Sequence, residues 1–519
     1  MIYLTGFMGS GKTSVGRSLA SRLGLQFVDL DDLIVSKTGT SIPDIFTCVG
    51  EDGFRMLENR ILLELVQQGL DAVVATGGGL PEDTMNRILM KASGYIVYLE
   101  APLDTLKERV SGGQGRPLWN EDVAALLQKR IPVYADADFV LDTRLLDTDR
   151  CASEIFSWAS GLTSPVPVIL RERSYPVYIG SGIFSSFQEF LQRHMRPEGI
   201  FVLADEQVLE HHGGRIRHAL DGLDYHIMGI PSGEETKSNP FLVTILEKML
   251  TAGVTRGWAC MALGGGVTGD IAGFAASIFM RGIPVIQVPT TLLAQVDSSI
   301  GGKTAINLDS GKNLAGTFHQ PLFVLSDTDF LRTLDEFFIR DAMAEVIKYG
   351  IIMERGLFEE LEKSPSHEFS RLVRTCARCK ARVVSQDERE GGTRRILNFG
   401  HTLGHALEKA LRYRITHGQA VAAGMIFAAW ISRDFSLLSE PDYARIRALI
   451  TRNVSFPESF ALPSVDLVAE SLAFDKKSER EGIHFVLTPA IGDVSVQKLT
   501  DSQILDAYGR YVNGCSEGL

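Results

Sequence analysis

The sequence lacks long apolar segments and an N-terminal targeting signal. No stretch reaches 18 consecutive apolar residues, and the richest run, IAGFAASIF at 271–279, is half that length. A helix needs about 20 apolar residues to cross a bilayer. The first residues, MIYLTGFMGSGK, also lack the basic leader and apolar core of a signal peptide. We therefore expect a cytoplasmic protein with no membrane partner.

Cysteine and positive charge are also scarce. The chain has six cysteines in 519 residues, and only Cys376 and Cys379 lie close together. We expect neither a cysteine metal site nor a disulfide framework, which fits a reducing cytoplasm. The net charge of -12 argues against nucleic acid as a partner, because nucleic-acid-binding domains are normally basic. Local clusters of Lys and Arg can still bind anionic small molecules.

The length predicts about three folded units. Residues 1–160 alternate short β-like runs with helical runs, which predicts an α/β domain with a parallel sheet. Residues 161–172 are rich in Gly, Ser and Pro and predict a linker. Alternation resumes over 173–329, and long helical patterns over 330–519 predict a mostly α-helical domain with one hairpin near Ile483–Leu487. The strands predicted in the middle part are Ile200–Ala204, His226–Ile230, Trp258–Leu263, Val285–Val288 and Phe323–Ser326.

A glycine-rich motif follows the first predicted strand. GFMGSGKT at 6–13 fits the pattern G-x-x-x-x-G-K-[ST], between a strand at Ile2–Leu4 and a helical run at Ser14–Leu23. The N–H groups of such a loop surround phosphate oxygens, its lysine reaches the β and γ phosphates, and its hydroxyl binds Mg²⁺. We predict an ATP and Mg²⁺ site at Gly9, Ser10, Gly11, Lys12, Thr13 and Ser14.

Carboxylates and arginines that suit a polyol acceptor come next. Asp29 and Asp31 follow a predicted strand. Arginines can pair with a carboxylate or a phosphate through two N–H donors. Further along the chain come Arg55, Gly77, Gly78, Gly79, Arg116 and Arg130. In this order, residues 1–150 resemble the shikimate kinase family, which has an α/β P-loop fold.

That resemblance implies a role for each of these residues. Asp31 would orient the acceptor hydroxyl and act as its base, and Asp29 would organise Mg²⁺. Arg116, in a lid, would reach ATP and the transferring phosphoryl group. Only thirteen residues separate Arg116 from Arg130, so we predict a short lid. Shikimate itself would be bound by Asp31, Arg55, Gly77, Gly78, Gly79 and Arg130.

A second group of chemical residues lies in the rear half. The glycines at 264–266 follow a predicted strand and open a helix, a turn that suits a pyrophosphate. Glu345, His401, His405 and His417 supply a carboxylate and imidazoles. A carboxylate with two imidazoles suits Zn²⁺ with an open coordination position, and the same ligands also accept Co²⁺. His401 and His405 share one helix face, so spacing alone leaves open which of them is the ligand.

Seven segments resemble the 3-dehydroquinate synthase family over residues 173–519, which implies a Rossmann-like NAD-binding domain and a helical metal-binding domain. They are PSGEETKS (231–238), GGGVTGDIAGF (264–274), MRG (280–282), VPTTLLAQVDSSIGGKTAIN (288–307), GKNLAGTFHQP (311–321), AEVIKYG (344–350) and RRILNFGHTLGHALE (394–408). The resemblance implies Zn²⁺ held by Glu345, His401 and His417, and it places Asp297, Lys348 and His405 in the catalytic group. It implies NAD contacts from Asp205, Glu234, Lys237, Gly264, Gly265, Gly266, Asp270, Thr290, Thr291, Lys312 and Thr333. It implies substrate contacts from Arg281, Asp297, Lys303, Asn313, Lys348, Lys380, Arg394, Asn398, His405 and one of Lys476 and Lys477.

Together the two resemblances imply a bifunctional enzyme of aromatic amino-acid biosynthesis. The front half would phosphorylate shikimate to shikimate 3-phosphate with ATP and Mg²⁺. The rear half would convert 3-deoxy-D-arabino-heptulosonate 7-phosphate into 3-dehydroquinate and phosphate, with NAD oxidising and then reducing the same substrate. The rear family also implies a homodimer. The two steps are not consecutive, so no handover of product is expected.

Other functions remain open from the sequence. The rear half could be another sugar-phosphate cyclase or a metal-dependent polyol dehydrogenase, although its many Lys and Arg residues argue against a neutral polyol. The front half could be a nucleotide-sensing module that regulates the rear enzyme. A sensor needs no acceptor site, and Lys12, Asp31, Arg55 and Arg130 together are typical of one.

Overall fold

The computed structural model describes residues 1–110, 122–363, 368–475 and 482–514. The chain forms two compact units, Met1–Tyr178 and Ile179–Leu519. Among the described residues, no helix is both long and apolar enough to cross a membrane.

The first unit contains a five-stranded parallel sheet in the order β2-β3-β1-β4-β5. Its strands are β1 (Ile2–Thr5), β2 (Gln26–Asp29), β3 (Ala72–Ala75), β4 (Tyr95–Glu100) and β5 (Phe139–Asp142). Its helices are α1 (Lys12–Leu23), α2 (Leu30–Thr38), α3 (Ile42–Gln67), α4 (Thr84–Ser93), α5 (Leu103–Val110), α6 (Val123–Tyr134) and α7 (Thr148–Ala159). Strands β1 and β3 are fully buried, as expected for the centre of a sheet covered on both faces. The α/β fold predicted for this half is confirmed.

The segment predicted as a linker, 161–172, is partly structured. It contains strand β6 (Val166–Val168), which pairs antiparallel with β7 (Tyr175–Gly180), and it leads into a 3-10 turn at Arg171–Arg173. The prolines at 165 and 167 do not prevent pairing, since a strand tolerates proline where no ladder N–H is needed.

The second unit is built on five parallel strands in the order β14-β11-β10-β8-β9. They are β8 (Ile200–Asp205), β9 (Tyr225–Ile230), β10 (Ala259–Gly264), β11 (Val285–Pro289) and β14 (Val324–Asp327). An antiparallel hairpin of β12 (Lys303–Leu308) and β13 (Gly311–Phe318) lies between β11 and β14 in the chain. A second hairpin, β15 (Ile483–Leu487) and β16 (Ser495–Leu499), confirms the hairpin predicted near its position.

Helices dominate the rest of this unit, as predicted. They are α8 (Phe187–His194), α9 (Glu206–Ala219), α10 (Asn239–Thr251), α11 (Gly266–Ile278), α12 (Glu336–Ile352), α13 (Arg355–Lys363), α14 (Phe369–Gln386), α15 (His401–Ala410), α16 (His417–Asp434), α17 (Glu440–Asn453), α18 (Val465–Asp475) and α19 (Asp501–Gly514). A π-helical turn, Ala294–Ser298, carries Asp297. Such turns are rare and occur often at functional sites.

Candidate active sites

A cavity of about 710 Å³ in the first unit lies at the ends of β1, β2 and β3. Ligands of open α/β sheets bind at the carboxyl ends of the strands. The predicted residues that line this cavity are Gly9, Ser10, Gly11, Lys12, Thr13, Ser14, Asp29, Asp31, Arg55, Gly77, Gly78, Gly79 and Arg130. The structure thus brings together every predicted residue of this half except Arg116, which lies outside the described residues.

The loop between β1 and α1 has the geometry of a phosphate cradle. Gly9 and Gly11 have φ values of 84° and 93°, a region that side chains rarely adopt. The Lys12 ammonium donates to the carbonyl oxygens of Gly6 at 2.9 Å and Phe7 at 3.1 Å, which fixes its position beside the loop. Helix α1 begins at Lys12, so the positive end of its dipole also faces the loop.

The Asp29 carboxylate accepts hydrogen bonds from two partners. Its Oδ1 accepts from the Asp31 backbone N–H at 3.1 Å and so caps α2, and its Oδ2 accepts from the Thr13 hydroxyl at 2.7 Å. A carboxylate bonded to a P-loop hydroxyl suits Mg²⁺ coordination. Burial, and then the charge of Asp29, raise the pKa of Asp31 above its usual value despite Lys12. A carboxyl with a raised pKa is a better general base.

Two glutamates that the sequence did not single out hold the arginines of this site. Glu58 is 1% exposed and pairs with Arg55, and its burial raises its pKa to about 7. Arg130 is 2% exposed and bonds Glu82 at 2.7 Å, so it is not a solvated helix charge. Glu58 could have been found from its i, i+3 spacing to Arg55 in α3. Glu82 pairs with a residue 48 positions away, and no local pattern reveals it.

The second unit brings Glu345, His401 and His417 together. Their candidate ligand atoms all lie within 4.8 Å of one another. The Nε2 atoms of His401 and His417 lie 3.3 and 3.5 Å from Glu345 Oε1, and Lys348 contacts Glu345 Oε2. His405 stands beside them, with its ring centre 5.5 Å from that of His401. Of the two histidines that spacing left open, His401 is therefore the one grouped with Glu345.

Local sequence explains why these histidines point where they do. His401 begins α15 directly after Gly400, whose φ of 80° allows the chain to turn into the helix. His417 begins α16 after Thr416, which forms a reciprocal capping box with Gln419. Asp341 contacts the Thr416 hydroxyl and accepts from the Gln419 N–H, which ties this helix start to α12.

A cavity of about 520 Å³ in the second unit contains predicted cofactor and substrate residues. Those lining it are Asp270, Asp297, Lys303, Asn313, Lys380 and Arg394. Asp297 Oδ1 accepts from Lys380 at 2.7 Å and from the Tyr349 hydroxyl at 2.7 Å. Burial alone would raise the pKa of Asp297, but Lys380 and Lys348 outweigh it and hold the pKa well below its usual value. Lys303, Lys380 and Arg394 thus give the cavity three cationic side chains, and Asp297 holds one of them, Lys380, in place.

The predicted NAD segments also converge. The buried Lys237 bonds Asp270 at 2.7 Å and contacts Asn313. The Thr290 N–H donates to the Gly264 carbonyl at 2.9 Å, next to the glycine turn between β10 and α11. Burial raises the pKa of Asp270 to about 6, although Lys237 opposes this. These bonds join four separate motifs around one edge of the sheet.

Glu390 is a further residue that the motifs did not indicate. It contacts Lys303 and accepts from the Asn398 amide at 3.3 Å, so it holds two predicted substrate residues. It is separated from Lys303 by 87 positions, so only the fold reveals this link.

Other predicted residues lie elsewhere or have other partners. Asp205 caps α9 and accepts from Ser232, and Thr333 bonds His212 at 2.7 Å. Arg281, in the 3-10 turn Phe279–Arg281, is not part of the cavity lining among the described residues. Lys476 and Lys477 lie outside the described residues, so the choice between them stays open. The remaining predicted residues, Glu234, Gly265, Gly266, Thr291 and Lys312, lie on the segments described above.

Comparison with known proteins supports both assignments. Family models match as shikimate kinase over residues 8–160, 3-dehydroquinate synthase N-terminal over 227–341 and 3-dehydroquinate synthase C-terminal over 342–478. The 3-dehydroquinate synthase of Syntrophotalea carbinolica is 43% identical over 354 residues, which are 65% of this chain and 96% of that protein.

Solved structures resemble the rear part. One is 2-deoxy-scyllo-inosose synthase complexed with carbaglucose-6-phosphate, NAD⁺ and Co²⁺, at 27% identity and a TM-score of 0.61, covering 69% of this chain and 100% of that chain. Another is ValA, the 2-epi-5-epi-valiolone synthase of Streptomyces hygroscopicus, with NAD⁺ and Zn²⁺ bound, at 26% identity and a TM-score of 0.60, covering 66% of this chain and 98% of that chain.

The fold and the two sites define a P-loop phosphotransferase unit followed by a unit with a nucleotide-binding turn and a carboxylate–histidine cluster. The chain belongs to the 3-dehydroquinate synthase family in its rear part and carries a shikimate kinase domain in its front part. The resemblances predicted from the sequence motifs are confirmed. Another cyclase in the rear and a nucleotide sensor in front are not favoured.

Proposed function

We propose that this chain catalyses two reactions of aromatic amino-acid biosynthesis. The first unit phosphorylates shikimate with ATP, and the second converts 3-deoxy-D-arabino-heptulosonate 7-phosphate into 3-dehydroquinate and phosphate. The observation that carries the proposal is that each unit has its own set of chemically complementary residues around its own cavity.

In the kinase reaction, Asp31 accepts the proton of the attacking hydroxyl, which its raised pKa favours. Lys12 and the loop N–H groups bind the phosphates, and Thr13 and Asp29 hold Mg²⁺. Arg55 and Arg130 bind the shikimate carboxylate, each already oriented by a glutamate. We propose that Arg116 contacts the transferring phosphoryl group, as the resemblance to shikimate kinase implies.

The residues of the rear site fit a divalent cation. Both oxygens of Glu345 are buried. Two imidazole Nε2 atoms face Oε1, and Lys348 lies against Oε2. An anionic oxygen and two neutral nitrogens are the ligands that Zn²⁺ or Co²⁺ accepts with an open position. Both similar cyclase structures hold such an ion together with NAD⁺.

The bound cation and NAD would supply Lewis acidity and reversible hydride transfer. The chain's own residues bind and orient the substrate. Lys303, Lys380 and Arg394 surround a cavity that suits a phosphate and a carboxylate. Asp297 holds Lys380, and Glu345 holds Lys348, so both lysines are kept in place before substrate arrives. His405 lies one helical turn beyond His401, where it can exchange a proton with substrate.

Product analysis of one purified sample tests both activities. One tube receives the heptulosonate phosphate with NAD⁺ and Zn²⁺, and the other receives shikimate with ATP and Mg²⁺. We expect 3-dehydroquinate in the first and shikimate 3-phosphate in the second. His401→Ala should remove the first product alone, and Lys12→Ala the second alone. A folded protein that yields nothing in one tube would refute the activity of that unit.

We also propose which part of the rear unit binds each cofactor, an oligomeric state and a cellular location for the protein. Residues 173–329 bind NAD and residues 330–519 bind the metal. The resemblance of residues 173–519 to 3-dehydroquinate synthase supports a homodimer through the rear part. Sedimentation equilibrium should give twice the mass of 57.0 kDa, and a single-chain mass would contradict it. Cell fractionation should place the protein in the cytoplasm.

A further inference from the structure

Glu408 is a buried carboxylate to which the sequence motifs gave no role. Three cationic or basic side chains surround it: Lys312, His405 and His417. Glu408 lies on α15, two turns after His401, and is 8% exposed. Its Oε2 lies 3.9 Å from His417 Nδ1, and its Oε1 lies 3.8 Å from the Lys312 ammonium. His405 belongs to the same cluster, with candidate ligand atoms within 4.8 Å.

The two ring nitrogens of His417 face different carboxylates. Nε2 faces Glu345 Oε1 at 3.5 Å, so Nδ1 is left to face Glu408. His401 has a parallel arrangement, because its Nδ1 lies 3.2 Å from the Phe399 carbonyl oxygen while its Nε2 faces Glu345. A ligating histidine usually donates its second N–H to such an oxygen, which fixes the tautomer and the ring orientation.

Lys312 connects a second structural element, strand β13, to the Glu408 carboxylate. It lies on β13 of the hairpin and stacks its ammonium over Tyr413, 4.4 Å from the ring centre. Tyr413 follows α15, and the sequence predicts Lys312 as an NAD contact. One oxygen of this carboxylate therefore lies at an ion-pair distance of 3.9 Å from a residue of the metal cluster, and the other lies 3.8 Å from a residue of the cofactor segment.

We infer that Glu408 is a positioning residue that holds the His417 ring for the divalent cation and links it through Lys312 to the β12–β13 hairpin. The inference rests on the proposed metal site. Glu408 acts on the metal through His417, as the Phe399 carbonyl does through His401. Lys312 neutralises the Glu408 charge that faces it and keeps the carboxylate in place.

Metal affinity of the full chain tests this role directly. Zn²⁺ dissociation constants are measured by competition with a chromogenic chelator, and the Co²⁺ absorption spectrum reports ligand geometry. We expect Glu408→Gln to weaken Zn²⁺ binding by about 10- to 100-fold and to alter the Co²⁺ spectrum. The matched control is Lys409→Gln, the exposed neighbour on the same helix, which should leave both unchanged. Kinase activity of each sample confirms that the chain is folded.

The link to the hairpin is tested by Lys312→Gln. Alone it should weaken Zn²⁺ binding several-fold, and in the Glu408→Gln background it should have no further effect. Wild-type affinity and spectrum in Glu408→Gln would overturn the inference while leaving the metal site intact. If Glu408→Gln does not fold, wild-type Zn²⁺ affinity in Lys312→Gln overturns it. A wild-type chain that binds no Zn²⁺, or whose binding His401→Ala leaves unchanged, would instead overturn the proposed metal site itself.

Discussion

The Tyr349 hydroxyl is a hydrogen-bond donor to Asp297, a carboxylate of the synthase cavity. It is fully buried and donates to Asp297 Oδ1, which also accepts from Lys380. Burial, and then the negative charge of Asp297, raise the pKa of Tyr349 well above its usual value. The phenol therefore stays protonated and remains a donor at every working pH.

We predict that Tyr349→Phe lowers the synthase kcat and leaves kinase activity unchanged. Loss of a donor to a buried acceptor costs about 1–3 kcal/mol, which is about 5- to 160-fold in rate. Steady-state kinetics measure this. Tyr508→Phe is the control, because its buried hydroxyl donates to the Pro463 carbonyl at 2.9 Å, outside the site. Equal losses in both variants would show a general packing effect.

Glu58 makes the stability of the first unit depend on pH near neutrality. Burial, opposed by Arg55, raises its pKa from the ordinary 4.5 to about 7. Because the folded pKa lies above the unfolded one, its contribution to stability is complete below pH 4.5. That contribution is lost as pH rises through about 7.

We predict that Glu58→Gln, which mimics the protonated acid, changes the pH profile of unfolding. The variant should unfold at a slightly higher temperature than the wild type near pH 5.5, and the difference should grow to several degrees above pH 7.5, measured by calorimetry of the full chain. Glu64→Gln is the control on the same helix. Hydrogen bonds from Lys37 and Arg60 lower the Glu64 pKa, so its effect is constant over this range. Parallel curves for the wild type and Glu58→Gln would refute the prediction.

The helices α15 and α16 approach each other at glycines. A Cβ at Gly424 would overlap the Gly400 carbonyl oxygen and lie 3.0 Å from the Gly404 nitrogen. This close approach matters because the two helices begin at His401 and His417.

We predict that Gly424→Ala destabilises the chain by about 1–3 kcal/mol, because overpacking forces the helices apart, and that it weakens Zn²⁺ binding. Urea unfolding and chelator competition measure the two effects. Gly214→Ala in α9 is the control, since its Cβ meets no described atom within 4 Å. Helix propensity alone should then stabilise it by about 1 kcal/mol. Stabilisation by both variants would contradict the packing argument.

The strands of the second unit were largely predictable, because continuous apolar runs mark parallel strands. The predicted Ile200–Ala204 and Val285–Val288 became β8 and β11 with one residue added to each. The β12–β13 hairpin was not predicted, because both strands carry polar residues and are only partly buried, and β13 also contains two glycines. Hydrophobic periodicity carries no signal there.

The site residues also divide into those that a local sequence pattern reveals and those that only the fold reveals. Motif residues such as Lys12 and His401 were found because their spacing follows from one loop or one helix. Tyr349, Glu390 and Glu408 were not, because their partners lie 52, 87 and 96 positions away or are reached from another element. Tertiary contacts of this kind leave no local pattern.

At the level of the whole molecule, each unit has a separate apolar core. One surrounds Leu62 and Val74, and the other surrounds Cys260 and Ala272. Folding units with their own cores can unfold independently and respond to their own ligands.

We predict two calorimetric transitions in the full chain. Shikimate with MgADP should raise one transition, and NAD with Zn²⁺ the other, with each ligand stabilising its unit by about 2.7 kcal/mol at 100-fold excess over its Kd. Lys12→Ala should abolish the nucleotide-dependent shift alone. A single transition raised by both ligand pairs would show that the units unfold together.

Because one polypeptide contains both units, it also fixes the ratio in which the two units are produced. Every translated copy delivers one kinase and one synthase, so their molar ratio is fixed at unity at all expression levels. Transcription cannot adjust one step against the other. Any imbalance in flux between these non-consecutive reactions must be corrected through turnover numbers, substrate levels or the occupancy of Zn²⁺ and NAD.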